Sequence, residues 1–139
     1  MPNTPPGPTI LLVEDNEAIR AMMREVLEHE HYTVVTADGS HARAQASTAQ
    51  PDVILLDLYM PGDADGESVY RQLRADPATQ DIPVMITSAV DNLPTIAARL
   101  HTDSYLKKPF TLKLLMREME SLVHARRAHL ADQRQGESH

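Results

Sequence analysis

The sequence predicts an α/β protein: a doubly wound, five-stranded parallel sheet flanked by five helices. Three observations carry that expectation. Five short apolar runs alternate with segments of helical periodicity. The runs are near-continuous in apolar residues, as a sheet covered on both faces requires. Each step from one run to the next passes through a helical segment, which makes neighbouring strands parallel.

Thr9 to Val13 (TILLV) is the first run, ended by Glu14-Asp15-Asn16. Asn16 can serve as an N-cap, and Ile19, Met22, Met23, Val26 and Leu27 then recur at helical spacing to about Glu30. Tyr32 to Ala37 (YTVVTA) is β-branched and reads as the second strand. Gly39 to Ala49 is rich in Ala and reads as a helix with a thin apolar face. Val53 to Leu58 (VILLDL) is the strongest strand signal in the chain. The turn-rich stretch Pro61 to Gly66 leads to a helix carrying Val69, Tyr70 and Leu73, which stops near Asp76-Pro77. Val84 to Ser88 is the fourth strand, and Leu93 to Leu100 a short helix with Pro94 in its first turn. Ser104 to Lys107 is the fifth strand. From Leu112 the pattern Leu112, Leu115, Met119, Leu122, Val123 marks a final helix to about Leu130. Arg126 and Arg127 give that helix a basic end, which suits its dipole. Residues 1–8, with four prolines, read as a disordered lead-in, residues 9–131 as the folded domain and residues 132–139 as a polar tail.

Composition narrows the function classes. The 139 residues make one domain's worth of chain, long enough to bury a core. A formal net charge of -7 argues against a nucleic-acid surface, which relies on clustered Lys and Arg. No run approaches the ~20 apolar residues of a membrane span. Met1 to Pro8 has neither the basic nor the apolar region of a signal peptide. Without Cys there is no disulfide framework and no thiolate metal site. His124 and His129 lie on different helix faces, and the other histidines show no ligand spacing either. The expectation is a soluble, acidic, cytoplasmic protein.

In open parallel sheets, functional groups gather at the carboxyl ends of the strands, near the point where strand order reverses. Glu14 and Asp15 close the first strand, and Asp57 lies near the end of the third inside an apolar run. A strand Asp taken alone is as readily structural as functional. If the first and third strands are neighbours, however, the three carboxylates converge, and like charges at that range disfavour ionisation unless a cation sits among them. An all-oxygen site of this kind suits Mg²⁺. Ser88 closes the fourth strand and Lys108 follows the fifth. A hydroxyl and an ammonium on the same rim complete a cradle for a phosphoryl group.

With these residues in place the sequence resembles the receiver domains of two-component response regulators, the chemotaxis type among them. The matching segments are Ile10-Leu-Leu-Val-Glu14-Asp15-Asn16, Pro51-Asp-Val-Ile-Leu-Leu-Asp57-Leu-Tyr-Met60-Pro61-Gly62, Pro83-Val-Met-Ile-Thr-Ser88-Ala89 and Tyr105-Leu-Lys-Lys108-Pro109-Phe110. The resemblance covers roughly residues 9–125 and implies a flavodoxin-like sheet of order 2-1-3-4-5. It implies Asp57 as the phosphorylated nucleophile. Asp15, Asp57 and the backbone carbonyl of Tyr59 would ligate Mg²⁺, with Glu14 in support. Ser88 and Lys108 would contact the phosphoryl oxygens. Tyr105 matches the aromatic that turns inward when the hydroxyl moves to the phosphate. The Lys108–Pro109 bond is expected cis. Ser88 takes the hydroxyl role in preference to Thr87, because adjacent strand residues face opposite sides and Ser88 holds the register from Pro83.

The chain departs from the family pattern in places. Pro61 to Gly66 is one residue longer than usual, and Ser88 to Tyr105 about two shorter, so the fourth helix is expected to be truncated or irregular. His101 stands where the family usually has Gly; positive φ is uncommon for His, so a rebuilt turn is expected. Tyr59 and Val90, at the positions that tune hydrolysis, cannot orient an attacking water as an acid or amide could, which suggests a long-lived phosphate.

The expected function is therefore a single-domain response regulator. It accepts a phosphoryl group from a sensor histidine kinase or phosphotransfer protein and signals to a downstream protein by contact, without turning over a substrate. Leu114 and the extension to Leu130 offer a face for a homodimer. Two other readings compete: a degenerate receiver that binds without phosphorylation, and an Asp-nucleophile phosphohydrolase. The second would carry an Asp two residues after the first, where Tyr59 stands.

Overall fold

The computed structural model describes residues 7–59 and 65–137. Most of the expected lead-in over residues 1–8 and most of the Pro61 to Gly66 turn, including its extra residue, lie outside the described residues. Ten elements alternate in order. They are β1 (Thr9–Val13), α1 (Glu17–His29), β2 (Thr33–Ala37), α2 (Ala42–Ala49), β3 (Val53–Asp57), α3 (Gly66–Ala75), β4 (Val84–Ser88), α4 (Leu93–Leu100), β5 (Ser104–Lys107) and α5 (Leu112–Glu137). The five strands form one parallel sheet in the order β2-β1-β3-β4-β5. The order reverses between β1 and β3, so the crevice at their carboxyl ends is where a ligand site belongs.

The period of two along each strand divides the core into two layers. Ile10, Leu12, Val53, Leu55 and Met85 pack with Leu27 of α1 and with Leu115 and Met119 of α5. Leu11, Val13, Ile54, Leu56 and Ile86 pack with α2, α3 and α4 through Ala46, Leu73, Leu93 and Ala97. Asp57 follows Leu56, so the alternation aims its side chain to the α1 and α5 side. Thr87, its partner in register on β4, shares that side, and Ser88 belongs to the other.

Caps and close contacts fix several boundaries. Asn16 caps α1 as its sequence position suggests, its Oδ1 accepting from the Ile19 amide at 2.9 Å. Asp65 does the same for α3 through the Ser68 amide at 2.8 Å. Gly66 sits directly on the Leu58 carbonyl, where a β-carbon would collide with backbone. Pro8 is already part of the sheet rim, its carbonyl accepting from the Thr33 amide at 2.9 Å.

Five expectations need correction. The second strand begins at Thr33, one residue after Tyr32. The second helix begins at Ala42, because residues 38–41 form a turn in which the Asp38 carboxylate takes both the His41 amide and the Ser40 hydroxyl. The third strand ends at Asp57, one residue before Leu58. The turn at His101 is not rebuilt: His101 adopts φ 57 and ψ 44, the left-handed C-cap conformation. Its carbonyl accepts from the Tyr70 hydroxyl at 3.2 Å, which holds the unfavoured backbone in place. The last helix runs past Leu130 to Glu137, so Arg126 and Arg127 are not at its end. Arg126 is buried and donates to Gln50 Oε1 at 3.3 Å and to the Asp81 carbonyl at 3.5 Å. Arg127 pairs with Asp52 at 3.4 Å. Among the described residues no helix is long and apolar enough to cross a membrane.

Candidate functional site

The carboxyl ends of β1, β3 and β4 and the turn after β5 meet around Asp57. Its side chain is 8% exposed. Such a carboxylate needs donors. Oδ1 accepts from the Tyr59 amide at 3.1 Å, and Oδ2 faces Lys108 Nζ at 3.2 Å. Lys108 is placed by its backbone, whose amide donates to the Ser88 carbonyl at 2.8 Å, and the Lys108–Pro109 bond is cis. One sheet-edge hydrogen bond thus aims the ammonium across β4 at the end of β3.

Glu14 is as deeply buried as Asp57, at 6% exposure. Its Oε1 accepts from the Asn16 amide at 3.0 Å, and its own carbonyl accepts from Arg20 Nη1 at 2.9 Å. Burial first, and then the hydrogen bond and charge of Asp57, push the Glu14 carboxyl from 4.5 up to about 7. Two carboxylates in contact and out of water cannot both ionise cheaply.

Asp15 stands apart from this pair. Its Oδ1 accepts from the Gly39 amide at 2.9 Å, so the side chain is held by the turn between β2 and α2. Of the three carboxylates expected to converge, the structure joins Glu14 and Asp57. Among the described residues no group of three acidic or imidazole side chains is close enough to hold a metal. The donor chemistry nonetheless fits a hard cation. The contacting pair is all oxygen, the donor type that a hard cation takes.

Ser88 is buried, and its Oγ accepts from the Val90 amide at 3.3 Å. A hollow of about 490 Å³ opens over Asp57, lined also by Ser88 and Lys108, with Tyr59 and Val90 at its rim. Tyr59 is 74% exposed and Val90 37%. Thr87 lines a second hollow that also reaches Asp57, on the α1 side. Thr87 is therefore the other hydroxyl near Asp57, and its register opposite Asp57 is the signal that identifies it. Tyr105 stands outward on β5, half-exposed, beside a hollow between α4 and α5. Lys107, next to Lys108, reaches across to Asp91 in the β4–α4 turn at 2.8 Å.

Comparisons with known proteins agree with one another. The family of response regulator receiver domains matches residues 10–120. The response regulator MprA of Mycobacterium ulcerans is 37% identical over 132 residues, covering 93% of this chain and 55% of that protein. The response regulator PleD of Caulobacter vibrioides is 40% identical over 117 residues, covering 82% of this chain and 26% of that protein. The chain thus spans about half or less of the length of these relatives. Among solved structures, the receiver domain of the sensor histidine kinase PA1611 from Pseudomonas aeruginosa has a magnesium ion coordinated in its active site cleft. It superposes with a TM-score of 0.75 at 30% identity, covering 85% of this chain and 98% of that one. The chemotaxis protein CheY4 of Vibrio cholerae gives 0.73 at 26% identity, covering 84% and 98%.

Proposed function

The chain belongs to the family of response regulator receiver domains, and we propose on that premise that Asp57 accepts a phosphoryl group from a phosphohistidine. The observation that carries this reading is the buried Asp57 carboxylate with Lys108 Nζ at 3.2 Å, at the reversal point of the sheet. A carboxylate oxygen attacks phosphorus, the P–N bond breaks, and the imidazole leaves with the bonding electron pair. The Tyr59 amide holds one oxygen of the nucleophile in place. Lys108 starts paired with Asp57 and meets the negative charge of the incoming group. Ser88 Oγ can exchange the Val90 amide for a phosphoryl oxygen, donating its proton there.

Asp15, Asp57 and the Tyr59 carbonyl would hold Mg²⁺, with Glu14 supporting the ion; the PA1611 receiver domain carries a magnesium ion in its active site cleft. When bound, the ion supplies positive charge against the phosphoryl oxygens. The donor would be a sensor histidine kinase or a phosphotransfer protein in the cytoplasm. The signal would pass by contact with a downstream protein, with Tyr105 turning inward as Ser88 moves. On this reading the domain is an acceptor and not a turnover enzyme, since Tyr59 stands where a second acid would be needed. Tyr59 and Val90 shield the acyl phosphate from water.

Incubation with acetyl phosphate and Mg²⁺, followed by intact mass, tests the assignment. Wild type should gain one phosphoryl group and Asp57→Asn none. No adduct on wild type would favour a domain that binds without phosphorylation, and multiple turnover would favour a hydrolase.

A further inference from the structure

Ser88 and Lys107 stand in register on β4 and β5. Beyond Ser88 the chain turns through residues 89–92 into α4, and the two ends of that helix are held differently. At its far end Arg99 pairs with Glu67 at 2.8 Å, Arg74 pairs with Asp103, and the His101 carbonyl accepts from Tyr70. The last turn of α4 and the loop after it are thereby fastened to α3. At the near end Asn92 contributes no side-chain cap. The Val90 amide donates to Ser88 Oγ at 3.3 Å, and the Val90 carbonyl accepts from the Leu93 amide at 3.3 Å. Both bonds are longer than the usual ~2.9–3.0 Å, so the turn is held loosely by its own backbone.

Lys107 supplies a tether at that loose end. Its Nζ donates to Asp91 Oδ1 at 2.8 Å, crossing from β5 to the middle of the turn. Lys107 and Lys108 are adjacent and alike in charge, yet one goes to the turn and the other to Asp57. Asp91 directly follows Val90, which stands at the rim of the hollow over Asp57. Whatever fixes Asp91 therefore fixes the rim. The pair is open to water, with the Lys107 side chain 49% and that of Asp91 98% exposed. Such a pair adds little to global stability, but it can bias a local equilibrium by up to about fivefold.

We propose that the Lys107–Asp91 ion pair is a catch on the β4–α4 turn, which when closed keeps Val90 at the rim of the Asp57 hollow and when open admits small phosphodonors and water. Lys107 and Asp91 are positioning residues, acting through Val90 rather than touching the reacting atoms. The kinetic consequence rests on the acceptor reading, whereas the restraint of the turn does not. Loss of the phosphoryl group is attack of water on phosphorus, which releases inorganic phosphate and restores the Asp57 carboxylate. An open catch speeds that loss and speeds acceptance from a small donor alike.

The test compares the full chain with Asp91→Asn, Lys107→Gln, the double variant and Lys107→Arg. The first readout is amide hydrogen exchange without phosphodonor. Protection of the Val90 and Leu93 amides should fall about two- to fivefold in each single variant. The double variant should fall no further, and Lys107→Arg should stay near wild type because a guanidinium also pairs with a carboxylate. NaCl at 1 M, where the screening length is ~3 Å, should lower wild-type protection and leave the double variant unchanged. The second readout is formation and loss of the adduct with acetyl phosphate and Mg²⁺. Both rates should rise in both single variants by a similar factor, without adding in the double. A mere effect of charge on an approaching anion would instead take opposite signs, since one variant removes a negative group and the other a positive one. Opposite signs, additive effects, rates that fall, or protection equal in all the proteins would each overturn the catch. Absence of any adduct would sink the acceptor reading alone, and hydrogen exchange would then decide the catch by itself.

Discussion

Asp15 Oδ1 accepts from the Gly39 amide at 2.9 Å, so this carboxylate faces the turn between β2 and α2 while its neighbour Glu14 faces Asp57. An ion held by Asp15 places positive charge beside the carboxylate that the Gly39 amide donates to. Mg²⁺ should therefore move the Gly39 and Tyr59 amide resonances with one midpoint, although they sit on different strands' ends. Asp15→Asn keeps an acceptor for Gly39 and should lower Mg²⁺ affinity about tenfold or more with stability nearly unchanged. Asp15→Ala also removes the acceptor and should cost about 1 kcal/mol of stability. A Gly39 resonance indifferent to Mg²⁺ would remove Asp15 from the ligand set.

Two hydroxyls stand near Asp57. Ser88 shares the hollow over Asp57 with Lys108, and Thr87 faces Asp57 in register. A lost hydrogen bond to a charged group is worth about 1.5–3 kcal/mol, or about ten- to a hundredfold in rate. Ser88→Ala should slow phosphorylation by acetyl phosphate within that range, and Thr87→Val by no more than about twofold. The reverse order would transfer the role to Thr87.

Tyr59 and Val90 line the hollow at Asp57 with an aromatic and an aliphatic group. The phosphorylated protein, freed of donor and with no phosphatase present, should keep its phosphate for minutes or longer. Tyr59→Asn introduces an amide able to orient water and should shorten that lifetime about tenfold. A wild-type half-life of seconds would refute the shielding role.

Glu14 ionises near pH 7 in the folded protein against 4.5 when unconstrained, with burial the first cause and Asp57 the second. A raised acid favours the protonated folded state. Its contribution to stability is intact below pH 4.5 and is lost as pH rises through about 7. In Mg²⁺-free buffer, Glu14→Gln should match wild type near pH 4.5 and exceed it by about 1–2 kcal/mol at pH 8, read from urea denaturation. Mg²⁺ should narrow the difference at pH 8.

His101 holds a left-handed conformation that costs a non-glycine residue about 1 kcal/mol or more. His101→Gly should raise stability by up to about 1 kcal/mol, the gain reduced by the extra freedom of glycine in the unfolded chain. The Tyr70 hydroxyl bond to residue 101 is to backbone and survives the change.

The fold was legible wherever apolar runs had hard stops. β4, α4 and β5 fall on their expected residues because Pro83, Pro94 and Pro109 punctuate short continuous patterns. The sheet order followed from the family resemblance, and periodicity alone does not supply it. The turn at residues 38–41 escaped notice because Asp38, Ser40 and His41 satisfy the backbone with their own side chains, which hydrophobic spacing does not register. The last turns of α5 are polar, so the apolar pattern ended before the helix did. Their Ala, Gln and Arg residues are good helix formers and carry it on. Buried Arg126 occupies a position on the core stripe that a search for apolar residues passes over. In the site, the meeting of Glu14, Asp57, Ser88 and Lys108 could be anticipated from strand ends. The turning of Asp15 to a backbone amide of another loop is a tertiary event with no trace in local sequence.

The burial of Arg126 has a mechanical side. With Arg127 it fastens α5 to Gln50, Asp52 and Asp81, which precede β3 and β4 at the amino ends of the strands, opposite the end that carries Asp57. Both arginines lie near the middle of α5, so they pin the helix there and leave its first turn, with Leu112 and Leu114 exposed, outside their grip.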